Sequence, residues 1–232
     1  MNEPGRIAAN TFPETGIRMP DRARRGRLAP ATGGLRAVQQ AVLRSFAATG
    51  RPPQPAGLTE AAAPYAASAL QVLTQLHTAD FLRLDDTGHI QAAYPFSATP
   101  TGHRVQIAGG PQAYAMCAID ALGIAPMLGV TVVIRSADPL TGAPITVSVP
   151  AAGPATWDPA TTVVFNGHVA CAPEGPAADV ACNLINFFTD QVTAATWASS
   201  RPDITGITLQ QGEAQQIGAQ IFSALLTSPC QP

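Results

Sequence analysis

The chain has 232 residues, of which 46% are apolar and only 12% charged, and its formal net charge is −2. That length can bury a substantial core, and the near-neutral balance offers no broad attraction to a polyanion. No apolar run reaches the ~18–20 residues that span a bilayer, and no signal-peptide apolar region stands near the N-terminus, so a cytoplasmic protein without membrane partners is expected. The charged fraction is about half the usual ~25%, which with 22 prolines and 20 glycines indicates a compact, loop-rich protein.

All thirteen cationic side chains are Arg, and six of them (Arg6, Arg18, Arg22, Arg24, Arg25 and Arg27) fall in the first 27 residues. Interspersed with Pro and Gly and without apolar periodicity, residues 1–33 read as a solvated, disordered tail. GGLRAVQQAVLRSFAATG then carries Leu35, Val38, Val42, Leu43 and Phe46 at helical spacing, with Gly50 as a stop. RPPQPAG is a linker. A short helix is expected to start with Thr59 as cap, before Pro64 opens a longer helix through SALQVLTQLHTA. FLRLDDTGHIQAAYPF alternates around DDTG, a hairpin signal. Helices followed by a hairpin give residues 34–100 a winged-helix-like outline, but the third helix holds no Arg or Lys to carry into a DNA groove. A structural or lid element fits better than a nucleic-acid reader.

Beyond residue 100 the pattern is mixed. QAYAMCAIDALGIAPML, residues 112–128, reads as one buried helix. VTVVIRSADPLTGAPITVSV is a hairpin around a Pro/Gly turn, and TTVVFNG adds a strand. DVACNLINFF is ambiguous between a strand and a loop entering one. TAATWASSRP suggests a short helix, GITLQQ a strand, and GEAQQIGAQIFSALLTS a closing amphipathic helix. Helices and strands do not alternate as βαβ units, which predicts an α+β fold with a mostly antiparallel sheet and flanking helices over residues 101–232.

Several chemistries can be set aside. GxSxG, a Walker-type glycine loop and a GxGxxG after a strand are absent, and His77, His89, His103 and His168 share no ligand spacing. None of Cys117, Cys171, Cys182 and Cys230 forms a CxxC, so a structural zinc site has little support. Cys117 and Asp120 stand apart because Ala, Ile, Met and Leu surround them. Three residues apart on a helix, thiol and carboxyl would share a face, and burial would raise the carboxyl pKa so that Asp120 holds a proton. The bland reading makes Cys117 a small hydrophobe and satisfies Asp120 with a backbone amide or an Arg. Cys182 precedes a stretch running toward the core. Two convergent thiolates suit a soft, two-coordinate metal such as mercury, although spacing alone does not show that they converge.

These residues match a pattern. AYAMCAIDALGIAPMLG, then TGAPITVSV, then CNLINFF with ATWAS downstream, resemble the organomercurial (alkylmercury) lyases, clearly from about residue 110 onward. The resemblance aligns the family's Cys-x-x-Asp with Cys117 and Asp120, and its second active-site Cys with Cys182 ahead of Phe187 and Phe188. It implies protonolysis of a carbon–mercury bond in mercury detoxification, with Cys117 and Cys182 as thiolate ligands for mercury and Asp120 as proton shuttle and further ligand candidate. It also implies that no organic cofactor or resident catalytic metal is required, and that Hg(II) product passes to small thiols or a mercuric reductase. Met116 and Asn183 depart from many family members, which carry Trp and a further Cys there. Cys171 and Cys230 match no functional position. The alternatives are a non-catalytic soft-metal or organomercurial carrier or sensor, and, on the Arg-rich tail alone, a DNA-binding regulator.

Overall fold

A computed structural model describes residues 27–170 and 175–227. Most of the expected N-terminal tail, together with Cys171 and Cys230, therefore lies outside the described residues. Helix α1, Leu35–Thr49, buries Val38, Val42, Leu43 and Phe46 on one face and ends at Gly50, whose φ of 74° lets its N–H reach the Phe46 carbonyl at 2.8 Å. The short α2, Thr59–Ala62, has no side-chain cap: Thr59 Oγ1 donates instead to the Ala56 carbonyl. Pro64 does not open a long helix. Residues Ala63–Tyr65 form a 3-10 turn, and α3, Ala69–Thr78, starts afresh at Ser68. The reason is local: Ser68 Oγ accepts the Gln71 N–H while the Gln71 side chain accepts the Ser68 N–H, a reciprocal cap that fixes the start there.

The expected hairpin follows as β1, Leu82–Leu84, and β2, Ile90–Ala93, paired antiparallel. Asp85 Oδ1 accepts the N–H groups of Thr87 and His89, each at 2.9 Å, and so closes the turn. After β3, Phe96–Ser97, and β4, Arg104–Ile107, the chain departs from expectation. Residues 112–128 are not one helix: β5, Gln112–Ala115, pairs with β3 and β4, and helix α4, Ala118–Leu128, begins only after Cys117. Ala113 and Ala115 are buried and alternate with more exposed neighbours, a strand period that four residues beside a continuous apolar helix do not advertise.

Strands β6, Val132–Ala137, and β7, Pro144–Val149, form the second expected hairpin, with β8, Thr156–Asp158, beyond it. Together they complete an eight-stranded antiparallel sheet ordered β1-β2-β3-β5-β4-β6-β7-β8. Strand β9, Val163–Val169, is central in a second sheet. The ambiguous segment resolves into helix α5, Ala177–Val180, a 3-10 turn at Cys182–Leu184, and strand β10, Ile185–Phe188. Helix α6, Gln191–Ser199, is capped by Asp190. Strand β11, Ile204–Leu209, pairs with β9 opposite β10, and α7, Gln211–Phe222, closes the chain. The α+β class with antiparallel sheets holds.

Apart from Asp120, helix α4 is apolar on all sides, and it packs along α7. The two approach closely because Gly218 presents no side chain: a Cβ there would stand 2.9 Å from the Ile119 carbonyl oxygen and 3.0 Å from the Gly123 nitrogen. One hydrophobic cluster runs from Ala29 through Val38, Phe46, Leu73, Phe96, Leu122 and Phe187 to Leu225. Among the described residues, no helix is long and apolar enough to cross a membrane.

Candidate active site

Cys117 hangs from the end of β5. The next residue back, Met116, donates its N–H to the Pro95 carbonyl at 3.0 Å, which extends the β3–β5 pairing to the brink of the helix. Cys117 is then the N-cap of α4, with an extended backbone, and its sulfur accepts the Asp120 N–H at 3.4 Å. Thiol and carboxyl are therefore neighbours as cap and third helical residue, not as two stacked positions of one helix face. The sulfur faces the open amides of a helix N-terminus, a setting that favours negative charge.

Cys182 arrives from the other sheet. Its 3-10 turn leads into β10, whose pairing with β9, Ile185 opposite Asn166 through Phe188 opposite Val163, fixes where the turn is delivered. One ligand atom from each of Cys117, Asp120 and Cys182 lies within 4.8 Å of the others, and all three residues are buried. Both cysteines are free thiols. The convergence that spacing left open is thus present in the structure.

Electrostatics set the resting protonation. Burial pushes the Cys117 thiol well above its ordinary value, reinforced by the Cys182 thiol and the Asp120 charge; the Asp120 N–H opposes this. Burial likewise raises Asp120, to about 7, against the pull of Arg27 and of the Cys117 hydrogen bond. Asp120 Oδ2 is buried and has no hydrogen-bond partner among the described residues. A buried carboxylate oxygen left in that state is costly, so it is well placed to exchange a proton or meet a ligand atom.

A cation sits nearby. Arg27 is only 6% exposed, donates to the Asp80 carbonyl at 2.7 Å and lies 3.8 Å over the Tyr94 ring. Burial alone lowers its pKa, but Tyr94, Asp80, Asp120 and Cys182 outweigh that and hold it above the ordinary value, fully charged. Of the expected tail, Arg27 to Ala29 is packed against the core, whereas residues 30–33 are exposed.

The family model for alkylmercury lyases (MerB) matches residues 96–223. This chain belongs to the alkylmercury lyase family. Alkylmercury lyases of Streptomyces lividans, Staphylococcus epidermidis and Pseudomonas putida are 29%, 30% and 29% identical to it over 150, 135 and 140 residues. Those stretches cover 64%, 57% and 59% of this chain but only 66%, 60% and 63% of the respective relatives. A crystal structure of the mercury-bound form of MerB2 shares the fold, with a TM-score of 0.72 over 90% of this chain and 98% of that one, at 22% sequence identity.

Cys117, Asp120 and Cys182 all lie inside the alkylmercury lyase match, whereas Arg27, Asp80 and Tyr94 precede it. Sequence reasoning missed these three. Arg27 was absorbed into an Arg-rich tail, although Leu28 and Ala29 directly follow it. Asp80 stands two residues past Thr78, the last residue of α3, in the left-handed region, φ 60°, a backbone state that α1 and α4 reach with glycine directly after the helix. Of the two departures from the family pattern, Met116 is half-buried against the core and Asn183 is exposed.

Proposed function

We propose that this protein cleaves the carbon–mercury bond of organomercurials by protonolysis. The observation that carries the reading is the convergence of two thiols and one carboxyl whose ligand atoms all lie within 4.8 Å of one another in a buried site. Cys117 attacks the R–Hg cation and forms a sulfur–mercury bond as its thiol proton passes to the Asp120 carboxylate. Cys182 adds a second sulfur, which weakens the bond from mercury to carbon because soft thiolates donate strongly to a soft metal. Asp120 then delivers its proton to carbon as the carbon–mercury bond breaks, and the hydrocarbon R–H leaves. Two thiol protons are lost in all: one ends on carbon by way of Asp120 and the other goes to solvent. Hg(II) remains between two thiolates until small thiols of a reducing cytoplasm, or a mercuric reductase, remove it.

A carboxyl poised near 7 accepts and donates a proton with comparable ease at neutral pH, as a shuttle requires. The same group weighs against a pure carrier, which needs two sulfurs but gains nothing from a buried acid whose Oδ2 has no partner. Purified protein incubated with phenylmercury and excess thiol should release benzene. Asp120→Ala should still bind Hg(II) but release benzene about 10²-fold or more slowly, the scale of general acid catalysis; unchanged release would remove Asp120 from the mechanism.

A further inference from the structure

Helix α5, Ala177–Val180, is a single turn, too short to hold itself in place. Pro176 at its N-cap supplies no side-chain acceptor, so the first amides of the turn must find partners elsewhere. They find them across the molecule. The Ala177 N–H donates to Asp80 Oδ2 at 3.1 Å, and the Ala178 N–H donates to the Tyr94 hydroxyl at 3.0 Å. Tyr94 in turn donates to Asp80 Oδ1 at 3.2 Å, so the two acceptors brace each other. Arg27 closes the cluster, with Nη1 at 3.3 Å from Asp80 Oδ2 and its guanidinium over the Tyr94 ring. Arg27 itself is tethered to α1: Gln39 Nε2 donates to the Arg27 carbonyl at 2.6 Å.

Two residues after α5 comes Cys182. The connection from α1 through Arg27, Asp80 and Tyr94 to Ala177 and Ala178 therefore ends beside the second thiol. Burial keeps Tyr94 a neutral phenol, able to donate to Asp80 and accept from Ala178 at once. Asp80 holds a left-handed backbone that Gly adopts freely and that, among L-residues, Asn and Asp reach most often. A glycine would suit the helix end better but would leave Ala177 without its acceptor and Arg27 without its carboxylate partner.

We propose that Asp80 and Tyr94, clamped by Arg27, are positioning residues for Cys182: they act as a remote cap on α5 and keep the second thiol within reach of Cys117 and Asp120. This rests on the lyase reading only for its consequence in catalysis; the pairing of the thiols can be measured without turnover. Phenylarsine oxide condenses with two neighbouring thiols and releases one water, so its affinity reports whether both sulfurs reach one atom. In the full chain with Cys171 and Cys230 replaced by Ser, the parent should bind one equivalent tightly. Asp80→Asn, which retains a residue tolerant of the left-handed backbone, should weaken binding at least tenfold. Tyr94→Phe, which removes one oxygen and leaves the ring under Arg27, should weaken it at least fivefold. Total thiol labelling by methyl methanethiolsulfonate, which needs only one sulfur at a time, should stay the same in both.

A role confined to stability would lower the melting temperature and leave arsenical affinity within twofold; that result in folded Tyr94→Phe overturns the proposal even if Asp80→Asn does not fold. Failure of the parent to bind the arsenical overturns it as well. If the parent binds the arsenical and the variants lose it, but the parent releases no benzene from phenylmercury, the positioning role stands and the lyase reading falls.

Discussion

Asp120 is a carboxyl that the fold tolerates at a cost. Its pKa is pushed up to about 7 by burial, whereas in the unfolded chain it titrates near ~3.9. Between those values the folded state holds a proton that the unfolded state has released. Stability therefore falls as pH rises through that window, and the penalty is complete above it, on the order of 4 kcal/mol. Asp120→Asn removes the ionisation and keeps the shape. We expect this variant to be more stable than the parent at pH 8, with the gap closing toward pH 4, as measured by urea denaturation at both pH values. His103, which burial holds down to about 4, works in the opposite sense, losing stability as pH falls; it is common to both proteins and cancels in the difference. An equal gap at both pH values would mean that Asp120 is not the group responsible. The acid was legible in the sequence because an Asp among Ala, Ile and Leu is conspicuous. What the sequence did not contain was its environment: Arg27 and Cys182 come from 93 residues before and 62 residues after it, and only folding brings the guanidinium charge and the second thiol beside it.

At the level of elements, the site depends on where α4 sits, since Cys117 caps this helix and Asp120 rides on its first turn. The contact with α7 sets that position, and Gly218 permits it. In Gly218→Ala the new methyl would meet the Ile119 carbonyl and Gly123 nitrogen at 2.9 and 3.0 Å, backbone atoms that cannot swing aside. Helix propensity favours Ala over Gly by ~1 kcal/mol, but forcing atoms into a filled interface typically costs about 1–3 kcal/mol. We expect a net loss of stability in denaturant titration, and a gain would show that the helices separate freely. The hairpins β1–β2 and β6–β7 were readable because their turns carry DDTG and a Pro/Gly run between alternating strands. Strands β4 and β5 were not, because β5 abuts an apolar helix that swallows its period. For the same reason the sequence around Cys117 reads as helix interior. Its role as cap follows from tertiary pairing of Met116 with Pro95, for which no local residue pattern exists.

Across the whole molecule, the sequence divides naturally near residue 100, but the packing does not. The Phe46 ring of α1 stacks on Phe96 of β3 with centroids 5.2 Å apart, and both belong to the cluster that reaches Phe187 and Leu225. Strands β1 and β2, the expected wing, are the edge of the same sheet that carries β5 to Cys117. Residues 27–100 thus share a core with the part that bears the thiols, and the two halves should unfold together. The chain has two tryptophans, and both, Trp157 and Trp197, lie in the second half, so their fluorescence reports that half alone. Phe46→Ala removes a fully buried ring, a change that typically costs about 3–5 kcal/mol. If the molecule is one cooperative unit, the Trp-monitored denaturation midpoint should fall by the amount seen in far-UV circular dichroism, and the two curves should coincide. A Trp transition left in place while part of the helical signal melts early would show instead that residues 34–100 fold as a separate body, and would leave the site's geometry independent of them.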